Sequence, residues 1–431
     1  MSKDTALNEQ HERSMPALEE MLQSLLLIEE GEHEFVDGEY GEAQDIRQFF
    51  FPVTRNCVYL NHAANGPLPR PVARGLHEYI DDRSNYASMH GERWRMYEQG
   101  AHRRMADMIG AQPEQIAFTA STGDGMMMIA QGLPWQEGDS VITAEGEFPS
   151  NVYPWLNLRE QGVQVHLVPQ RGGRIPPEAI FERIEQDRGH TRLVSLSLVE
   201  FSTGYRNDIA AIARYCHERG ILCGIDAMQA LGALAIDVQA LGVDYLSAAA
   251  HKWLLGPQTT GILYVSDDFL SRLRLPRRSW FSVAEPFDFF NYEQSLKEGA
   301  ARFEHSSSNS TAIIGLDAAL SVFESLDGGM AAVETRILDL TARLIAGLKR
   351  LGYPVVSPQG SGERSGIVCF TPHPQRSGMT PQQIVNELEA RNIAAAARGT
   401  VTRISPHFYN TIEEIDTLLN ALEDLKRPPT V

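Results

Sequence analysis

Lysine is scarce in this chain, with five in 431 residues. One of the five, Lys252, follows His251 at the end of the apolar run in LSAAAHKWLLGP, residues 246–257. Apolar surroundings disfavour an ammonium, so a lysine placed there has a lowered pKa and supplies a neutral amine. A neutral amine attacks carbonyls and forms Schiff bases. Three other sites follow apolar runs in the same way. After IAFTA come Ser121, Thr122 and Gly123, opening a helix. Hydroxyls and free N–H groups at a helix N-terminus suit a phosphate, although serine and threonine are also ordinary helix caps. After SVITAEGE comes Phe148, which either stacks on a flat ring or packs in the core. After ILCGI comes Asp226, 26 positions before Lys252, followed by Gln229. A carboxylate leaving an apolar strand must cap a helix or meet a cationic partner, and a protonated ligand would serve.

The elements that position these residues begin near residue 51. Short apolar strands (IAFTA, SVITA, VQVHLV, LVSLSLV, ILCGI, VDYLSAA and TGILYV) alternate with helices such as DIAAIARYCHERG. Strands that are apolar on both faces indicate an α/β fold with a mostly parallel sheet covered by helices. Ligands of such sheets bind at the carboxyl ends of the strands, where the residues above lie. Residues 51–310 form a large domain on this reading, and 311–431 a smaller C-terminal α+β domain. Residues 1–50 read as an acidic arm, with thirteen acidic and three basic side chains. The arm carries a helix with Met15, Leu18, Leu22, Leu25 and Leu26 on one face, which packs on the body or recruits a partner. The stretch 276–294 is irregular and rich in aromatic residues.

The formal charge of −18 argues against nucleic acid and anionic membranes as partners. The acidic N-terminus does not resemble a signal or transit peptide, and no apolar run reaches membrane length, so a cytoplasmic protein is expected. None of Cys57, Cys216, Cys223 and Cys369 forms a C-x-x-C pair, so no metal site is expected. Neither G-x-G-x-x-G after a strand nor a P-loop is present. The set instead reads as a site for pyridoxal 5'-phosphate. The lysine takes the aldehyde, the helix N-terminus the phosphate, the aromatic covers the ring, and Asp226 faces the pyridine nitrogen.

Over residues 55–425 the sequence resembles the class V aminotransferase family of pyridoxal phosphate enzymes, fold type I. Its nearest branches are the cysteine desulfurase-like and isopenicillin N epimerase-like proteins. VDYLSAAAHKWLLGP, IDAMQALGA, EFPSNVYPW and YLNHAANGPLP carry the resemblance. It implies that Lys252 holds the cofactor and moves protons, and that Asp226 keeps the ring nitrogen protonated. It implies cofactor contacts for Gln229, His251, Phe148, Ser121, Thr122 and Gly123. It also implies a homodimer with shared active sites, in which Ser307 reaches the neighbouring subunit's phosphate. Arg403 matches the arginine that clamps the substrate carboxylate, and Arg398, His62 and Asn65 are further pocket-side candidates. His90 and Arg93 are candidates too, or members of a solvated loop.

Three departures shape the expected reaction. Ala249 stands where desulfurases place a serine, and Gln258-Thr259 replaces an expected lysine-glycine. The interval GTVT between Arg398 and Arg403 holds no cysteine. The last departure, with Phe148 in place of a histidine, argues on this reading against a thiol-relay cysteine desulfurase. It favours a C–S β-elimination lyase or an epimerase, with an aminotransferase as the alternative and an inactive pyridoxal-fold scaffold as a remote one.

Overall fold

The computed structural model describes residues 46–305, 309–376 and 378–426, with Leu18, residues 21–23 and Leu25 of the N-terminal segment. A seven-stranded sheet forms the centre. Its strands are β2 (Ile116–Thr119), β3 (Ser140–Ala144), β4 (Gln164–Val168), β5 (Thr191–Ser197), β6 (Leu222–Asp226), β7 (Tyr245–Ala249) and β8 (Gly261–Val265). They lie in the order β2-β8-β7-β6-β5-β3-β4. Strand β8 runs antiparallel to both of its neighbours, and the remaining pairs are parallel. Every residue of β3, β6, β7 and β8 is buried, as expected for strands covered on both faces. The edge strand β4 is exposed at Gln164 and Leu167.

Register sets the site. Ser197 pairs with Asp226, and Asp226 with Ser247, so the carboxyl ends of β5, β6 and β7 form one level row. Between β7 and β8 the chain makes the loop that carries Lys252. Gly66 anchors this loop by donating its N–H to the His251 carbonyl at 2.8 Å. A side chain at Gly66 would lie 2.1 Å from the Lys252 carbonyl oxygen, so glycine alone permits the approach.

The C-terminal part has its own antiparallel sheet, ordered β11 (Ala396–Arg398), β12 (Val401–Ile404) and β9 (Val368–Phe370). It packs with the helices Gly329–Leu351 and Ile412–Lys426 through Leu340, Leu344, Leu348, Leu418 and Leu422. A short parallel pair, β1 (Val58–Tyr59) with β10 (Ile393–Ala394), ties it to the start of the body. The observed strands agree with the expected ones to within two or three residues. NVYPWLNLREQG, residues 151–162, reads as one helix from its apolar spacing, but with Pro149 before it and Pro154 within it the segment forms three short helical turns. Leu18, Leu22 and Leu25 of the expected N-terminal face are buried against the main core, together with Met21. Met15 and Leu26 lie outside the described residues.

Candidate active site

A cavity of about 300 Å³ opens at the carboxyl ends of β2, β3, β5, β6 and β7. It brings together ten of the residues singled out above: Ser121, Thr122, Gly123, Phe148, Asp226, Gln229, His251, Lys252, Arg398 and Arg403. Ala63, Ala64, Ser150, Ser197, Phe201, Met228 and Ala249 complete the wall.

Burial pushes the Lys252 amine down to about 8. Asp226 opposes that shift, while Arg403 and Arg398 add to it. Its Nζ lies 5.5 Å from the centre of the Phe148 ring. Phe148 is 44 % exposed and meets Phe201 edge to face at 5.3 Å, so it belongs to the cavity wall and not to the core. Asp226 is the last residue of β6. It is held up at about 6 by burial, against the Met228 N–H that it accepts at 2.8 Å and the charge of Lys252. Its partner is therefore a backbone donor and a neighbouring amine, leaving carboxylate capacity toward the cavity. Burial also lowers the His251 imidazole.

The helix opening at Thr122 has Ser121 as its cap, the Ser121 hydroxyl accepting the Asp124 N–H at 3.1 Å. Ser121 thus caps the helix and also lines the cavity. The N–H groups of the first helical turn have no partner within the helix, which is the usual anion site. Gln229 accepts the Trp253 indole N–H at 2.9 Å and donates to the Ala63 carbonyl at 3.1 Å, which fixes its amide at the cavity wall.

Arg403 is the most telling group. Strands β11 and β12 join through Gly399 and Thr400, and Arg398 pairs with Val401 while Ala396 pairs with Arg403. Alternation along the strands therefore puts both arginines on one face of the hairpin, toward the cavity. Arg403 is 1 % exposed. One Nη donates to the Phe201 carbonyl at 3.1 Å, and its Nε and other Nη have no hydrogen-bond partner among the described residues. Burial and the charge of Arg398 lower it to about 10. A buried guanidinium with two free donors facing a cavity is built for a carboxylate. Arg398 is exposed at the mouth.

Two expected pocket residues lie elsewhere. His62 is fully buried and lines no part of the cavity. Its Nδ1 donates to the Ser405 carbonyl at 2.9 Å, and its Nε2 accepts the Tyr409 hydroxyl at 2.7 Å. It joins the body to the C-terminal part. Asn65 is exposed and also off the cavity wall. Ser307 lies outside the described residues. His90 pairs with Asp82 at 2.7 Å, and Arg93 lies over the Trp94 ring; neither lines the cavity. The sequence reading missed Ser197, Ser150 and Phe201. Phe201 follows the LVSLSLV run much as Asp226 follows ILCGI, so the same rule applied to that strand reaches it, whereas Ser197 lies inside the run and carries no such signal.

The family model for class V aminotransferases matches residues 58–418. The chain belongs to this family. A relative named probable cysteine desulfurase, from Methanothermobacter thermautotrophicus, is 29% identical over 418 residues, covering 89% of this chain and 98% of its own. An uncharacterized aminotransferase, YcbU of Bacillus subtilis, is 27% identical over 85% of this chain and 93% of its own. The apo structure of a cysteine desulfurase from Thermococcus onnurineus NA1 superposes with a TM-score of 0.78 at 24% identity, covering 88% of this chain and 96% of that one. The cystine C–S lyase C-DES, in complex with its product cysteine persulfide, gives 0.77 at 24% identity, covering 87% and 99%.

Pyridoxal 5'-phosphate is the cofactor of the family, and the cavity has a group for each of its parts. These are the Lys252 amine, the Thr122–Gly123 helix start, the Phe148 face and the Asp226 carboxylate. The expectation that this is not a cysteine desulfurase, and is rather an elimination lyase or an epimerase, is corrected by the comparisons. Several relatives named probable cysteine desulfurase match along nearly their whole length. One absent cysteine in a short turn is too narrow a basis against these relatives.

Proposed function

We propose that the protein removes sulfur from L-cysteine, leaving alanine, and passes the sulfur to an acceptor thiol. The C–S bond breaks, an S–S bond to the acceptor forms, and the acceptor's proton ends on Cβ. The observation that carries this reading is Arg403, a buried fork with two free donors in the same cavity as a lysine of lowered pKa. That pairing suits an α-amino acid, held by its carboxylate while the amine side meets the lysine. The sulfur-bearing identity of the amino acid follows from the relatives' names.

When bound, pyridoxal phosphate supplies an electron-withdrawing ring that weakens the bonds at Cα. This chain's residues do the rest. The fork of Arg403 orients the carboxylate. Lys252, with its amine lowered to about 8, takes and returns a proton at the substrate's Cα. Asp226 holds a proton on the ring nitrogen. Phe148 and Phe201 cover the ring side and exclude water.

We infer that the protein works as a homodimer. Between 276 and 294 an ordered loop, tied by the Gln294 amide to the carbonyls of Glu285, Asp288 and Asn291, presents Trp280, Phe287, Phe289, Phe290 and Tyr292 to solvent. Clustered exposed aromatics of this kind mark an interface.

A test of the reaction class is to follow the cofactor absorbance of the loaded enzyme as single amino acids are added with no oxo-acid present. L-cysteine should perturb the band transiently and the starting spectrum should return as it is consumed. A stable conversion to the amine form of the cofactor, with one equivalent of oxo-acid released, would make it an aminotransferase instead.

A further inference from the structure

Behind the cavity lie three carboxyl groups, all at the carboxyl ends of neighbouring strands. Glu147 follows β3, Glu200 follows β5, and Asp226 ends β6. They are 6 %, 0 % and 4 % exposed, and only Asp226 lines the cavity. Glu200 accepts the Asn207 amide at 2.8 Å through one oxygen, and its other oxygen has no partner among the described residues. Glu147 grips one residue twice. Its Oε1 accepts the Ser197 N–H at 2.6 Å, and its Oε2 lies 2.5 Å from the Ser197 hydroxyl. Ser197 is the last residue of β5, stands beside Asp226 in register, and lines the cavity. Glu147 therefore reaches the cavity only through a serine that it holds by both polar groups.

A hydroxyl has one hydrogen and two lone pairs, so what it offers on one side depends on what it does on the other. If Glu147 is ionised, the Ser197 O–H must donate to it, and only a lone pair remains for the cavity. If Glu147 is protonated, the acid O–H can donate to Ser197 Oγ, and the serine hydrogen is free to turn toward the cavity. We propose that Glu147 is a positioning residue whose charge state decides whether Ser197 presents a proton or a lone pair to the bound cofactor.

The surroundings make both states accessible. The titratable groups facing Glu147 are Asp226, whose charge raises it, and Glu200, with which it interacts, while Lys252 acts on Asp226. Burial, reinforced by Asp226, pushes Glu147 up to about 7. Burial and Glu147 push Glu200 well above the ordinary range. As pH rises through about 7, Glu147 loses its proton and Ser197 changes from donor to acceptor. The inference rests on the cofactor site and not on the choice of substrate, so loss of the desulfurase reading would leave it standing.

The test uses cofactor-loaded enzyme and needs no turnover. Infrared difference spectra and cofactor absorbance are recorded between about pH 6 and about pH 8. With the cofactor loaded, Asp226 is ionised against the protonated ring nitrogen, so wild type should lose one protonated-carboxyl band, and the absorbance should shift with the same midpoint. Glu147→Gln, which keeps the neutral hydrogen-bonding pattern, should lose both changes. Ser197→Ala should keep the infrared change and lose the absorbance shift. Any step from Lys252 is common to all three proteins and cancels in the comparison. Persistence of the band loss in Glu147→Gln would assign the titration to another carboxyl and overturn the proposal. If that variant does not fold, survival of the absorbance shift in Ser197→Ala overturns it equally.

Discussion

At the scale of single residues, two groups are asked to do what their surroundings oppose, and both can be tested. Arg403 is buried with two donors free, which costs stability until a carboxylate arrives. Arg403→Lys keeps the charge but not the fork. It should cost about 2–3 kcal/mol of transition-state binding, roughly 30- to 150-fold in kcat/KM. Steady-state kinetics against L-cysteine check this, and unchanged kcat/KM would remove Arg403 from the substrate. Asp226 is held ionised in a buried site although its folded pKa, about 6, lies above the ordinary 3.8. A carboxyl raised on folding costs stability above the folded value, and the cost is relieved as pH falls toward the unfolded value. Apo Asp226→Asn should therefore be more stable than apo wild type by about 2–3 kcal/mol near pH 8, with the difference shrinking as pH falls through 6. Thermal unfolding of the two proteins over that range measures it. Most of these residues were legible because apolar strand, then polar residue, is a local signal. His62 was not, because its burial depends on Ser405 and Tyr409, more than three hundred positions away.

At the scale of elements, the site depends on a few close approaches. The loop after β7 holds Lys252 against Gly66, whose missing side chain makes room for the lysine carbonyl. Gly66→Ala should destabilise the fold by roughly 1–3 kcal/mol and loosen cofactor retention, as thermal unfolding and a dialysis assay would show. An unaltered melting temperature would mean that the loop yields freely. The strand ladder could be read from runs of valine, isoleucine, leucine and alanine. The reversal of β8 was legible only indirectly, since the connection from Ala249 to Gly261 is too short for a crossover helix and so implies an antiparallel return. The broken helix after Phe148 was signalled by Pro149 and Pro154, which the apolar spacing masked. The two arginines facing one way follow from strand alternation across a two-residue turn, visible only once β11 and β12 are paired.

At the scale of the whole molecule, the C-terminal sheet lends Arg398 and Arg403 to the cavity wall, and the aromatic loop of the large domain is exposed. If that loop is a subunit interface, Phe289→Ser with Phe290→Ser should convert a dimer to a monomer in sedimentation equilibrium, and a dimer of unchanged strength would place the interface elsewhere. Fold and cofactor were legible at this scale because four motifs keep their order and spacing over most of the chain. The reaction was not, because the fate of the bonds at Cα and Cβ depends on orientation, which no single residue type records. The central claim is tested most directly by incubating cofactor-loaded enzyme with L-cysteine and an acceptor thiol, and quantifying alanine and thiol-bound sulfur in the same sample. The account predicts the two in equal amounts, with neither formed by Lys252→Ala. Consumption of cysteine without alanine, giving an oxo-acid and ammonia or an oxo-acid alone, would contradict it.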